Sequence, residues 1–160
     1  MARVVVGVDG SSGSRKALAF ALEEARLRGA TLQVVHAWRT PLALTLPEPS
    51  IAGYSPLSVE DVERLATELR EKAERLVESE VEEVAGDDPG LEVRRDVFES
   101  DAAEALIEAA AGADLLVVGS RGHGGFRGLL LGSVGQKAAS HAPCPVVVVV
   151  PDAPAAQDER

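Results

Sequence analysis

Two periodicities alternate along the chain. Arg3 to Val8, RVVVGV, is a nearly unbroken apolar run of the kind a strand buried on both faces requires. From Ser14 to Arg28, Leu18, Ala21, Leu22 and Ala25 recur on one helical face, and Gly29 stands where a helix would end. Asp9-Gly10-Ser11-Ser12-Gly13 between them is turn chemistry, with serines able to cap the helix. Thr31 to Trp38 predicts a second strand. Arg39 to Leu57 carries Pro41, Pro47, Pro49 and Pro56 and predicts a long surface loop. Ser58 opens a long helix, with Asp61 placed as in a capping box and Val62, Leu65, Leu69, Ala73, Leu76 and Val84 on one face. Gly86-Asp87-Asp88-Pro89-Gly90 stops it. Leu91 to Val97 alternates imperfectly and predicts a strand near a sheet edge. A helix follows from Ser100 or Asp101 to Ala111, closed by Gly112, then a fourth strand, Leu115 to Val118. Gly132-Ser133 begins a last helix to about His141, and Val146 to Val150 is a fifth strand.

Strands alternating with helices define an α/β protein: a parallel sheet covered by helices on both faces. Residues 1–151 read as one domain, and the tail 152–160 as disordered. Such sheets bind ligands beyond the carboxyl ends of their strands, where strand order reverses. The turn at Asp9 and the glycine loop at Gly119 both leave strands at that edge. If the two strands are neighbours, the loops face each other across one crevice.

Charge narrows the partners. A formal net charge of -10 opposes general nucleic-acid or anionic-membrane binding, and 3% aromatic residues leave little for base stacking. The single cysteine, Cys144, excludes an internal disulfide. No apolar segment approaches the ~20 residues of a bilayer span, and the amino terminus lacks a signal-peptide layout. The expected location is cytoplasmic. One window departs from the acidic average: Gly119 to Pro151 holds no Asp or Glu. An even spread of the chain's 26 acids would put about five there. It holds seven glycines interleaved with Arg121, His123, Arg127 and Lys137. Glycine-rich main chain can close its N–H groups around an anion, and the missing carboxylates leave that anion unopposed.

The familiar phosphate motifs fail. G-x-x-x-x-G-K-[ST] is absent, and Gly122-His-Gly124 runs on to Arg127 rather than completing G-x-G-x-x-G. What stands instead is G-x2-G-x9-G-[ST], made by Gly119, Gly122, Gly132 and Ser133. With VVVGVDGS at the start and PCPVVVV at the end, the chain resembles the universal stress protein family, in its ATP-binding branch. The resemblance runs from Val4 to Val150. It implies a Rossmann-like open sandwich of the adenine nucleotide alpha hydrolase type, a five-stranded parallel sheet in the order 3-2-1-4-5. It further implies ATP as ligand, with Mg or Mn. By that similarity Gly7, Val8 and Asp9 would lie against the adenosine, and Ala37 would offer its backbone to the adenine. Val118 and Gly119 would border the nucleoside, and Gly122, Gly132, Ser133 and Val134 would hold the triphosphate. Arg121, His123 and Arg127 are candidate phosphate contacts, with solvated loop residues the plain alternative. Gly135 departs from the Ser or Thr the family often has there, leaving only its backbone N–H to offer.

Asp9 suits a ribose partner because a carboxylate accepts from hydroxyls, though it could equally be a turn or cap residue. No catalytic residue and no side-chain metal ligand is assigned. His36 reads as a satisfied strand-end histidine, and His141 with Cys144 lacks the ligand count for zinc. A G-x-S-x-G nucleophile elbow is missing. The expected function is that of a nucleotide-dependent regulatory or stress-response protein. A slow ATPase, a self-phosphorylating enzyme and a nucleotide-free interaction module are the alternatives. The valine strand Val146 to Val150 would leave an apolar edge if it ended the sheet, which predicts a homodimer through it, as the resemblance also implies.

Overall fold

A computed structural model of the chain describes residues 2–41, 58–86, 90–121 and 131–150. The sheet comprises β1 (Arg3–Gly7), β2 (Thr31–Trp38), β3 (Val93–Glu99), β4 (Leu115–Gly119) and β5 (Val146–Val149). Helices α1 (Ser12–Arg28), α2 (Val59–Ala85), α3 (Ala102–Ala109) and α4 (Ser133–His141) connect them. All four strand pairings are parallel, in the order β3-β2-β1-β4-β5. This is the α/β sheet and strand order expected from the sequence.

Alternate side chains of the central strands feed two cores. Val4 and Val6 of β1 pack with Leu18 and Leu22 of α1 and with Val77 and Val81 of α2. Val5 and Val35 face the other way, against Leu106 of α3 and Ala138 of α4. Two helices therefore cover each face, and β1 and β4 are buried on both sides, which explains their unbroken valine and leucine runs.

The helix ends follow the predicted chemistry. Ser11 caps α1 by accepting from the Ser14 N–H at 3.1 Å, which starts that helix two residues before the apolar pattern does. Gly29 ends it with φ 60°, in the left-handed region that favours glycine. Ser58 and Asp61 form the reciprocal capping box of α2. Other boundaries shift, and β3 starts at Val93 rather than Leu91. β3 runs to Glu99 rather than Val97, because its pairing with β2 continues through Ala37↔Phe98 and Trp38↔Glu99. Strand length there is set by the neighbour, not by local alternation. α3 stops at Ala109, with Gly112 in the turn beyond it. Most of the predicted Arg39 to Leu57 loop, and the tail, lie outside the described residues.

Candidate functional site

The order of strands reverses between β1 and β4, and the segments leaving them touch. A methyl group on Gly13 would lie 2.8 Å from the Arg121 carbonyl oxygen, and one on Gly119 would lie 3.1 Å from Gly13 main-chain atoms. Both positions therefore need glycine for this close approach of backbone to backbone. The start of α4 joins the same edge, since the Gly132 N–H donates to the Ser120 carbonyl at 2.7 Å. Ser120 is itself 2% exposed, and its N–H donates to the Val149 carbonyl at 2.8 Å. The crevice is thus floored by the carboxyl ends of β1, β4 and β5.

One wall is the turn after β1. Gly7 closes β1, Val8 is buried, and Asp9 is half-buried. Asp9 Oδ1 accepts from the Ser11 N–H at 3.0 Å, and the Asp9 N–H donates to Ser14 Oγ at 3.2 Å. At least one carboxylate oxygen therefore serves the turn, the structural role weighed for this residue from sequence. His36 Nδ1 lies 2.7 Å from the Val8 carbonyl oxygen. A carbonyl only accepts, so this contact puts the proton on Nδ1. His36 is a satisfied histidine, as its place at the strand end suggested. Ala37, half-buried near the carboxyl end of β2, stands beside Phe98 of β3.

The other wall is α4. Its N-cap is Gly132, no side chain among the described residues caps it, and its first turn carries no acid. The helix's first bond runs from the Gln136 N–H to the Gly132 carbonyl at 3.0 Å, so the amides of Ser133, Val134 and Gly135 precede the intrahelical ladder. The other three helices are capped by Ser11, Ser58 and Asp101 side chains. Ser133 is exposed, Val134 half-buried, and Gly135 buried. A Cβ at 135 would lie 3.1 Å from Leu131 Cδ2, so any side chain there requires the tip of this leucine to give way slightly. Val118 is 3% exposed, beneath Gly119, and Arg121 is exposed. Gly122, His123 and Arg127 lie outside the described residues. Ser120 and Gly13 were not singled out from sequence; their part depends on which strands are neighbours, and no local signal carries that.

Chemically, the arrangement offers an uncapped, acid-free helix terminus for an anion, a hydroxyl beside it, and a carboxylate on the facing wall. This donor set fits a molecule with a phosphate at one end and a hydroxyl-bearing part at the other. Among the described residues no three His, Cys, Asp or Glu side chains cluster as a metal would need, and no helix is long and apolar enough to cross a membrane.

An open parallel sheet whose strand order reverses between β1 and β4 is a Rossmann-like α/β architecture. Residues 1–150 match the model of the universal stress protein family, and the chain belongs to that family. It is 35% identical over 147 residues to universal stress protein Rv2623 of Mycobacterium tuberculosis, covering 92% of this chain and 44% of that relative. The chain thus spans less than half the length of the curated relatives it first matches. Among solved structures, it resembles universal stress protein UspA from Lactobacillus plantarum with a TM-score of 0.71 at 19% identity, over 92% of this chain and 97% of that one. A universal stress protein in complex with cAMP matches with a TM-score of 0.61 at 25% identity, over 92% and 96% of the two chains.

Proposed function

We propose that this protein binds ATP in the crevice between the β1 and β4 ends, and acts as a nucleotide-dependent regulatory protein of the stress response. The observation that carries the reading is α4: among the described residues it is the one helix that begins on a glycine with no side-chain cap and no acid in its first turn. A phosphate group would take the place of the missing cap. The cAMP bound by the relative with 25% identity supports an adenine nucleotide as the class of ligand.

In this reading Gly132, Ser133, Val134 and the amide of Gly135 face the phosphates, with Gly122 and the candidate contacts Arg121, His123 and Arg127 in the connecting segment, and Gly119 borders the nucleoside. Gly7, Val8, Asp9, Ala37 and Val118 surround the nucleoside. Mg or Mn would rest on the phosphates themselves. One exposed helix-end charge interaction contributes about 0.3–1 kcal/mol. Micromolar affinity requires about 8 kcal/mol. The nucleoside contacts must therefore supply much of the binding, and inorganic phosphate alone should bind weakly.

Gly132→Asp tests the assignment. A Cβ at Gly132 would make ordinary van der Waals contact, 3.6 Å from the Ser120 carbonyl oxygen and 3.8 Å from Arg121 Cα, and its φ of -76° suits any residue. Asp is a preferred N-cap residue, so the variant should cap α4 and keep or slightly raise the melting temperature. The same carboxylate would oppose the phosphates. Mg-ATP affinity by calorimetry should fall at least tenfold while adenosine affinity changes little. Equal Mg-ATP affinity in the two proteins removes the reading.

We further propose that the protein is a two-fold homodimer joined through Val146–Val150. Among the described residues β5 pairs with β4 alone and forms one edge of the sheet.

A further inference from the structure

Glu80 is the only charged side chain buried among the described residues, at 4% exposure, and it lies on α2, the helix between β2 and β3. Its Oε1 accepts from Arg15 Nε at 2.9 Å. Its Oε2 is buried with no hydrogen-bond partner among the described residues. Glu83, one turn along, adds a second carboxylate 3.5 Å from Arg15 Nε. The same guanidinium reaches the other way, and Arg15 NH2 donates to the Gly10 carbonyl at 3.2 Å. Gly10 follows Asp9 and has φ 81°, the left-handed conformation that turns the chain away from β1. Other polar groups near this turn are also held: the Asp9 N–H by Ser14, the Ser11 N–H by Asp9, and the Val8 carbonyl by His36 of β2. The Gly10 carbonyl is held by Arg15 of α1, and that arginine is in turn held by Glu80 and Glu83 of α2.

We propose that Arg15 and Glu80 form a positioning pair that sets the turn carrying Asp9, so that α2 governs nucleotide affinity without touching the nucleotide. The proposal rests on the ATP reading above. A buried carboxylate with one bonded oxygen holds its arginine firmly, because releasing it would leave a charge with no partner in the core. The planar fork of Arg15 serves its two acceptors through separate nitrogens at fixed spacing, which the single ammonium nitrogen of a lysine does not reproduce.

A direct phosphate role for Arg15 predicts the opposite sign. Freed from Glu80, a phosphate-binding arginine would grip ATP more tightly, whereas a positioning arginine would lose its orientation and loosen the turn. Glu80→Gln, of nearly the same shape, and Arg15→Lys, which keeps the positive charge on a partly exposed side chain, separate the two. Each should weaken Mg-ATP and adenosine binding by the same factor, about tenfold, the effect of losing one charge-assisted hydrogen bond. Hydrogen exchange at the Asp9 and Ser11 amides should accelerate in both variants, while the amides of Val34 and Val35 in β2 keep wild-type rates. Tighter Mg-ATP binding by Glu80→Gln overturns the proposal, and so do unchanged exchange rates at Asp9 and Ser11. If the wild-type protein binds neither adenosine nor Mg-ATP, the ATP reading fails by itself. The exchange rates then still decide whether the pair sets the turn.

Discussion

A methyl group at position 119 would meet main chain, whereas one at position 7 would meet the tip of a side chain. The Gly119 contact is with Gly13 carbon and oxygen at 3.1 Å; the Gly7 contact is with Leu106 Cδ1 at 2.8 Å. Main chain cannot swing aside, but the leucine methyls can rotate. Gly119→Ala should therefore destabilise the protein by about 1–3 kcal/mol, as overpacking does, with Gly7→Ala costing clearly less. Denaturant titration of both variants checks this, and a reversed order would place the tight contact elsewhere. Gly119→Ala should also separate the two crevice walls. The role of Gly119 as a loop glycine was readable from its place in the glycine motif. The reason it must be glycine was not, since its neighbour Gly13 comes from the far end of the chain.

At the scale of elements, α2 shows how local chemistry becomes a pH response. Asp61 accepts from the Ser58 hydroxyl at 2.7 Å and from the Ser58 N–H at 3.2 Å. These hydrogen bonds, the hydroxyl's first, hold its carboxyl below the ordinary value of 3.8. Folding thus favours the charged form. The stabilisation is present above the ordinary carboxylate value and is lost as pH falls through the lowered one. The difference in melting temperature between wild type and Ser58→Ala should accordingly be largest near neutrality and shrink on acidification through that range. A difference independent of pH would show that the carboxylate takes no part in the cap. This cap was legible because both partners sit within one turn, as was the Gly29 stop, while the start of α3 was legible only as Ser100 or Asp101, of which Asp101 is the cap. The end of β3 was not, because β2 decides how far the ladder runs. The uncapped start of α4 lay between: Gly132-Ser133 marked the helix, but only the structure shows that Ser133 lies inside it and leaves the cap position to glycine.

At the scale of the whole molecule, the two sheet edges are unlike. β3 carries Arg94 and Arg95, exposed and paired with Glu92 and Glu78 at 2.9 Å and 3.0 Å, charges that discourage a further strand. β5 offers only valines, half-buried, followed by Val150 at 64% exposure. The proposed dimer should form on that edge. Sedimentation at micromolar concentration should give a dimer for the wild type and a monomer for Val148→Lys, and a wild-type monomer would refute it. The strands, the helices and their parallel arrangement were legible in the alternating patterns, whereas the strand order followed only from the resemblance to the family. The meeting of Asp9 and Ser133 at one edge was conditional on β1 and β4 being neighbours, which nothing short-range reveals. That adjacency also has a cost during synthesis. β1 pairs with β2 on one side and β4 on the other, so a growing chain that has made only its first three strands carries Val4 to Val6 along a bare ladder. The ribosome must release Leu115 to Gly119 before that gap is filled, and α4 later still. Nascent chains should therefore need a chaperone's shelter at this stage, and ribosome-bound fragments ending before Leu115 should be the ones that aggregate when it is withdrawn.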